Sequence, residues 1–149
     1  IYKAVLENEL PSEDVYVSMP IGPDPKSTIR IKQGISPVGR PCFTHFRFLK
    51  NLNQRCLVEI SPQTGRTHQI RVHSNYIGCT VTGDKLYGLP DDGFVRWLEE
   101  GQSFLNQTGF PTSRQLLHAF EIGFIHPESK EELTIRADDS KMMEMVPVS

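Results

Sequence analysis

Long apolar runs, paired cysteines and common nucleotide-binding signatures are all missing from this sequence. No apolar run approaches the roughly 18 residues that a membrane helix needs, so we expect no membrane partner. The cysteines, Cys42, Cys56 and Cys79, include no C-x-x-C pair, which argues against a disulfide framework and a tetrahedral zinc site. Reduced thiols are typical of a cytoplasmic protein, and that is the location we expect. The loops G-x-x-x-x-G-K-S/T and G-x-G-x-x-G and the elbow G-x-S-x-G do not occur.

What the sequence does contain is a strong separation of charge. The 149 residues carry 16 basic and 18 acidic side chains, a net charge of −2. Between Lys26 and His73 there are nine basic residues and one acid, Glu59, a local excess of +8, whereas the rest of the chain sums to −10. Such a basic segment favours contact with a phosphate backbone. The alternative is a set of solvated strand faces that pair with the acidic flanks.

Alternating apolar residues predict an α+β domain, with an antiparallel or mixed sheet and a few flanking helices. Residues 42–49 and 55–61 predict a hairpin around a turn at 51–54. Further strands are predicted at 2–6, 15–21, 28–32, 116–125 and 132–136.

Two helices are predicted from their end signals. Residues 67–77 have Thr67 as a possible cap and Gly78 as a stop, and residues 91–100 follow Asp91 or Asp92 as a cap. The segments 34–41 and 101–112 are predicted to be loops, and the tail from residue 141 shows no clear pattern.

The most informative segment is S-P-Q-T-G-R-T-H-Q-I-R-V-H at residues 61–73. It predicts a strand end, a glycine turn and a helix start that carries Arg66, His68 and Arg71. A helix start with free amides attracts phosphate or carboxylate groups. The alternative is a polar helix start on an ordinary surface.

The motif T-G-R-T-H-Q-I-R-V-H, followed by Gly78, Gly83-Asp84 and Tyr87-Gly88, resembles the signature of the RluA-type RNA pseudouridine synthases. Four smaller matches extend the resemblance over nearly the whole chain: Tyr2 with Ala4, residues 39–44, Leu117-His118-Ala119 with Phe124, and His126-Pro127. Thr80 departs from the family pattern, which usually has proline there.

The resemblance implies an enzyme that isomerises uridine to pseudouridine in structured RNA, ribosomal RNA more commonly than transfer RNA, without cofactor or metal. It implies that Arg71 pairs with a catalytic aspartate, and that Tyr2 stacks near the target uracil and can take part in proton transfer. Ile70 and Val72 are then the walls of the pocket. RNA contacts are assigned to four further side chains: Arg66, His68, Arg40 and Arg47. Four other residues are expected to hold the fold: Gly83, Asp84, Tyr87 and His118. Of these, Asp84 is expected to be a turn or cap residue.

The family's catalytic aspartate lies in an H-R-L-D-x-x-T-S-G motif upstream of the strand that contains Tyr2. No such motif occurs in this sequence, and Asp14 and Asp24 lie downstream of that strand without its neighbours. We therefore expect residues 1–149 to be the C-terminal portion of a catalytic domain, inactive alone.

Two other functions remain open at this point. One is a catalytically inactive, RNA-binding relative, and the sequence upstream of Ile1 would separate it from the enzyme. The other is a small metal-dependent hydrolase that uses the five histidines, which metal analysis would detect.

Overall fold

A computed structural model describes residues 1–147. The strands are β1 (Tyr2–Glu7), β2 (Asp14–Val17), β3 (Ile21–Pro23), β4 (Gln33–Ile35), β5 (Thr44–Leu52), β6 (Arg55–Pro62), β7 (Leu117–Ala119), β8 (Glu121–Ile125) and β9 (Glu132–Arg136). The helices are α1 (Gln69–Tyr76), α2 (Lys85–Gly88), α3 (Asp91–Glu100), α4 (Gln102–Thr108) and α5 (Ser140–Glu144). None of the helices in residues 1–147 has the length and apolarity to cross a bilayer.

The main sheet has the strand order β2-β5-β6-β1-β7, and all its neighbouring strands are antiparallel. Two separate hairpins, β3–β4 and β8–β9, contain the other strands of the described residues. The predicted α+β class is therefore confirmed, and the sheet is antiparallel rather than mixed. The predicted hairpin of β5 and β6 is confirmed as well; Asn53, with φ of 65°, closes its turn.

The inner position of β1, between β6 and β7, follows from its apolar sequence. Successive strand residues point to opposite faces of a sheet, and Ala4, Val5 and Leu6 are all fully buried. Ala4 and Leu6 pack into the core beneath α1, which also contains Phe46, whereas Val5 packs on the other face. Met142 of α5 covers that second face. Both faces of β1 are thus buried, which places its first residue, Tyr2, firmly in the sheet.

Several predicted boundaries are wrong. The predicted strand at 15–21 is two strands, β2 and β3, and the one at 116–125 is β7 and β8 with a break at Phe120. Residues 28–32 form a turn, because Asp91 accepts hydrogen bonds from Ser27 Oγ at 2.6 Å and Lys32 Nζ at 2.8 Å. Asp91 thus holds this turn, and the N-cap of α3 is Pro90 instead of an aspartate.

Three elements arise where loops or no pattern had been predicted. Gly34 and Ile35 of the predicted loop pair with β3 as part of β4. Residues 102–108 form α4, which buries Phe104 and Leu105 and is flanked by two glycines that suggest a loop. Residues 140–144 form α5 through the burial of Met142. The last two residues of the predicted patternless tail, 148–149, lie outside the described range.

Candidate active site

The glycine turn after β6 is fixed by the buried amide of Gln69. Its Oε1 accepts hydrogen bonds from Thr64 Oγ1 at 2.7 Å and from the Arg66 amide at 3.1 Å. Its Nε2 donates to Phe43 O and to Thr44 Oγ1, both at 2.9 Å. One side chain, 4% exposed, thus connects the turn to β5 and uses its full hydrogen-bonding capacity. Gln69 was not among the predicted site residues.

His73 extends this buried network to the loop before β3. Its Nδ1 lies 2.8 Å from Thr44 Oγ1, and its Nε2 lies 2.9 Å from Met19 O. The carbonyl can only accept, so we assign the ring proton to Nε2, and Nδ1 accepts from the threonine hydroxyl. Burial lowers the pKa of His73, which keeps the imidazole neutral and suits a structural role.

Helix α1 begins later than predicted. His68 precedes it with φ of 57° and ψ of 17°, a left-handed conformation, and makes no side-chain cap hydrogen bond. Thr67 is therefore not the N-cap, and of the three residues predicted on the helix start only Arg71 lies in the helix, because Arg66 and His68 precede it. The side chains of His68 and Arg71 still converge on the same aromatic ring, that of Tyr87.

Arg71 is anchored by a carboxylate of this chain. Its Nε lies 2.6 Å from Asp84 Oδ2 and its Nη2 lies 2.7 Å from Asp84 Oδ1. Asp84 is 0% exposed at its side chain, and it also caps α2 by accepting from the amides of Leu86 and Tyr87. The expected cap role of Asp84 is confirmed, and its pairing with Arg71 is an addition. A guanidinium has five N–H donors, so three remain for a second carboxylate.

Tyr87 lies between His68 and Arg71. Its hydroxyl accepts a hydrogen bond from the Gln33 amide at 3.1 Å and lies 2.9 Å from His68 Nδ1. The Arg71 guanidinium lies 4.9 Å from the centre of the Tyr87 ring. Burial lowers the pKa of His68 and raises that of Tyr87 to about 12. Both groups are therefore neutral at pH 7, and His68 presents a neutral ring rather than a cation.

The predicted residues Tyr2, Ile70 and Arg71 meet at one cleft of about 200 Å³. Leu117 of β7 adds an apolar wall, and Arg66 and His68 lie on the same lining. Tyr2 reaches this place because β1 pairs with β6 and β7, opposite Ile60 and Ala119. The cleft therefore combines apolar walls, an aromatic ring and an anchored cation, which suits a planar heterocyclic base.

Two of the predicted site residues lie elsewhere. Val72 is 4% exposed and packs in a second core with Leu86 and Phe94, so the structure corrects its assignment as a pocket wall. The reason is geometric: Val72 is two positions after Ile70, and positions two apart on a helix point in nearly opposite directions. Arg47 follows the inward-facing Phe46 in β5, lies on the opposite sheet face and pairs with Glu59 at 2.8 Å. Arg40 lines a groove next to the cleft.

The basic segment divides into paired and unpaired side chains. Four of its nine cations have carboxylate partners: Lys32 with Asp91, Arg47 with Glu59, Arg55 with Glu7 and Arg71 with Asp84. Three of those carboxylates come from the acidic flanks, as the alternative interpretation expected. In the part of the chain that the structure describes, five cations have no carboxylate partner: Lys26, Arg30, Arg40, Lys50 and Arg66. These five remain available to an external anion.

The histidines do not converge. His45 bonds Asp14 at 2.6 Å, and His68 and His73 have the separate partners described above. Within residues 1–147 no three of the His, Cys, Asp and Glu side chains are grouped so that they could hold a metal ion. Nothing in the described residues therefore favours the metal-dependent hydrolase.

Comparison with solved structures defines the fold as that of pseudouridylate synthase domains. The chain is similar to the structure described as human RNA pseudouridylate synthase domain containing 1, with a TM-score of 0.71 and 24% identity over 98% of this chain and 58% of the other. The chain belongs to the RNA pseudouridylate synthase family, whose model matches residues 1–76. The predicted family is thus confirmed.

Curated relatives cover most of the chain. It is 37% identical to an uncharacterized RNA pseudouridine synthase of Chloroflexus aurantiacus, over 87% of the chain and 35% of the relative. It is 40% identical to the ribosomal large subunit pseudouridine synthase C of Vibrio cholerae over 69% of the chain and 29% of the relative. It is 35% identical to the ribosomal large subunit pseudouridine synthase D of Neisseria meningitidis over 92% of the chain and 34% of the relative. The chain therefore spans about a third of the length of these relatives.

Proposed function

We propose that this chain is part of an enzyme that isomerises uridine to pseudouridine in structured RNA in the cytoplasm, with ribosomal RNA favoured over transfer RNA. The observation that carries the proposal is the cleft in which Tyr2 and Ile70 face Arg71, itself fixed by the buried Asp84. Two of the relatives named above are ribosomal large subunit synthases, which supports ribosomal RNA as the substrate.

The reaction needs a base that is free to turn. The bond from ribose C1′ to uracil N1 breaks, a bond from C1′ to C5 forms, C5 loses its proton and N1 gains one. The uridine must first leave its stack, at a cost of a few kcal/mol. The apolar walls of the cleft, Ile70 and Leu117, and the ring of Tyr2 would offset that cost by contact with the uracil.

Arg71 would position the catalytic carboxylate. The aspartate that the resemblance implies is not among the residues of this chain, and the lining of the cleft in residues 1–147 includes no carboxylate. Arg71 keeps three N–H donors after binding Asp84, enough to orient a second carboxylate toward the base. Contact with a cation would also keep that carboxylate ionised.

The missing carboxylate also supports a second candidate, an RNA-binding relative without activity. The two are separated by measuring pseudouridine in ribosomal and transfer RNA treated with the whole protein, after digestion and chromatography of the nucleosides. The enzyme should convert uridine, and Arg71→Ala should nearly abolish turnover. Arg96→Ala, in an exposed pair with Glu100, is the matched control and should leave it unchanged.

Three results would contradict the proposal in different ways. Wild-type turnover by Arg71→Ala would remove Arg71 from the site. Pseudouridine formation by residues 1–149 alone would show that the nucleophile lies within this chain. No turnover by the whole protein, with RNA binding intact, would favour the inactive relative.

A further inference from the structure

Three clefts follow one another along residues 65–71. The middle one is the cleft of Tyr2 and Ile70. It shares Gly65 and Arg66 with a groove of about 500 Å³ on one side. It shares His68 and Arg71 with a cleft of about 310 Å³ on the other. The three clefts therefore adjoin one another, and together they are called the channel here, with the proposed uridine site in the centre.

The channel is positively charged although the whole chain has a net charge of −2. Its lining in the described residues contains a single carboxylate, Asp84, and five cations: Arg40, Arg66, Arg71, Lys85 and Arg114. By contrast, a larger cavity of about 780 Å³, which shares only Gly83 with the channel lining, has one acid and one base in its own lining, Glu7 and Arg55. The charge of the channel is therefore a local property that favours a polyanion.

The groove on the first side is suited to a phosphate. Arg40 and Arg66 both line it, and neither has a carboxylate partner in residues 1–147. The backbone of Arg40 is fixed by two hydrogen bonds to Ile21, at 2.8 and 3.0 Å. Arg66 Nε donates to Pro41 O at 3.4 Å, which directs its side chain along the same loop. Two unneutralised guanidinium groups on a fixed backbone can share one phosphodiester.

The cleft on the other side is suited to a base. Trp97, the single tryptophan of the chain, lines it together with Ile31, which is 60% exposed. The Trp97 ring packs against Phe94, with ring centres 5.5 Å apart and ring planes inclined by 45°. Arg114 lies on the same lining. Aromatic rings beside a cation are the usual stacking platforms for unpaired bases of single-stranded RNA.

We propose that this channel binds the single-stranded RNA on both sides of the target uridine. Arg40 and Arg66 hold a backbone phosphate on one side, and an unstacked neighbouring base lies against Trp97 on the other. The inference rests on the proposed function only in placing uridine in the middle cleft. The binding of RNA by the two flanking sites does not depend on turnover.

The test measures the binding of fluorescein-labelled hexauridylate to the whole protein by anisotropy at several salt concentrations. The double variant R40A/R66A should lower the slope of log affinity against log salt by about 0.7, because the two arginines hold one phosphate and each neutralised phosphate contributes about 0.7 to that slope. Trp97→Ala should weaken binding roughly 5- to 150-fold at an unchanged slope, since stacking is worth about 1–3 kcal/mol per base. Lys50→Ala, an exposed cation remote from the channel lining, is the control for charge alone.

Trp97 also packs on Phe94, so Trp97→Phe separates stacking from folding. It should retain most of the affinity, and hexauridylate should quench the Trp97 emission of the unmodified protein. The channel is refuted if R40A/R66A keeps the wild-type slope, if Trp97→Ala binds like wild type, or if decaglutamate binds as tightly as hexauridylate. Failure of pseudouridine formation with these binding effects present would overturn the proposed function and leave the channel standing.

Discussion

Removal of the Arg71 guanidinium should destabilise the fold far more than removal of an exposed arginine. The substitution Arg71→Met leaves the carboxylate of Asp84 fully buried without its cation. Loss of one partner of a buried pair costs about 3–5 kcal/mol of unfolding free energy. Two amides, of Leu86 and Tyr87, continue to donate to Asp84 Oδ1 at 3.1 and 3.2 Å. We therefore expect the low end of that range, about 3 kcal/mol.

The assay is a double-mutant cycle in urea. Asp84→Asn keeps an acceptor for the helix cap and removes the charge, so the double variant R71M/D84N should recover part of the loss. The coupling free energy should be about 2 kcal/mol, within the range for directly contacting residues. The control cycle uses Arg96 and Glu100, a pair 3.0 Å apart with side chains 55% and 35% exposed. Its coupling should be about 0.3–0.5 kcal/mol.

Equal coupling in the two cycles would refute the reasoning, because burial would then add nothing to the Arg71–Asp84 pair. The same variants bear on activity. If Arg71→Met and Asp84→Asn lose stability equally but only Arg71→Met loses turnover, then Arg71 acts on the substrate side as well as on Asp84.

Three other expectations concern stability and reactivity. Burial lowers the pKa of His73 below 6.5, so the unfolded chain binds more protons than the folded chain. The free energy of unfolding should therefore fall as the pH is lowered through 6.5, and it should depend less on pH in His73→Gln. Gly83→Ala should cost several-fold more than Gly101→Ala, although both glycines have positive φ, because only at Gly83 would a Cβ strike Thr112 and Arg114; thermal melts compare them. Burial raises the pKa of all three thiols, that of Cys56 to about 11, so Ellman's reagent at pH 8 should react only as fast as the protein unfolds.

Sequence patterns predicted the elements whose residues show a clear alternation or a clear turn within a short stretch of chain. The hairpin of β5 and β6 was predictable because its apolar residues alternate and its turn contains Asn53. Helix α4 was not predictable, because the glycines at its two ends, Gly101 and Gly109, suggest a loop. In the structure these glycines have φ values of 62° and 65°, a conformation that ends helices. Helix α5 is too short for a periodic signal, and it exists because Met142 is buried on a sheet that the sequence does not display.

The residues of the site likewise fall into those that the sequence revealed and those that it did not. Tyr2, Ile70 and Arg71 were assigned through the family motif, and the structure brings them to one cleft. The Arg71–Asp84 pair spans 13 residues and depends on the turn between α1 and α2, so helix periodicity could not reveal it. Gln69 carried a weak signal in its sequence position. It is a polar residue adjacent to the buried Ile70, and a buried amide must find partners.

The position of β1 between β6 and β7 imposes an order on folding during synthesis. Tyr2 pairs with Ile60 on one side and with Ala119 on the other, so β1 emerges before both of its neighbours, and the second neighbour follows more than a hundred residues later. At roughly 5–20 residues per second, the ribosome needs on the order of 10 s to supply that partner. The nascent chain therefore holds an apolar strand with an open edge throughout this interval. The cleft of Tyr2 also needs Leu117 of β7, so it is complete only after that strand has been made.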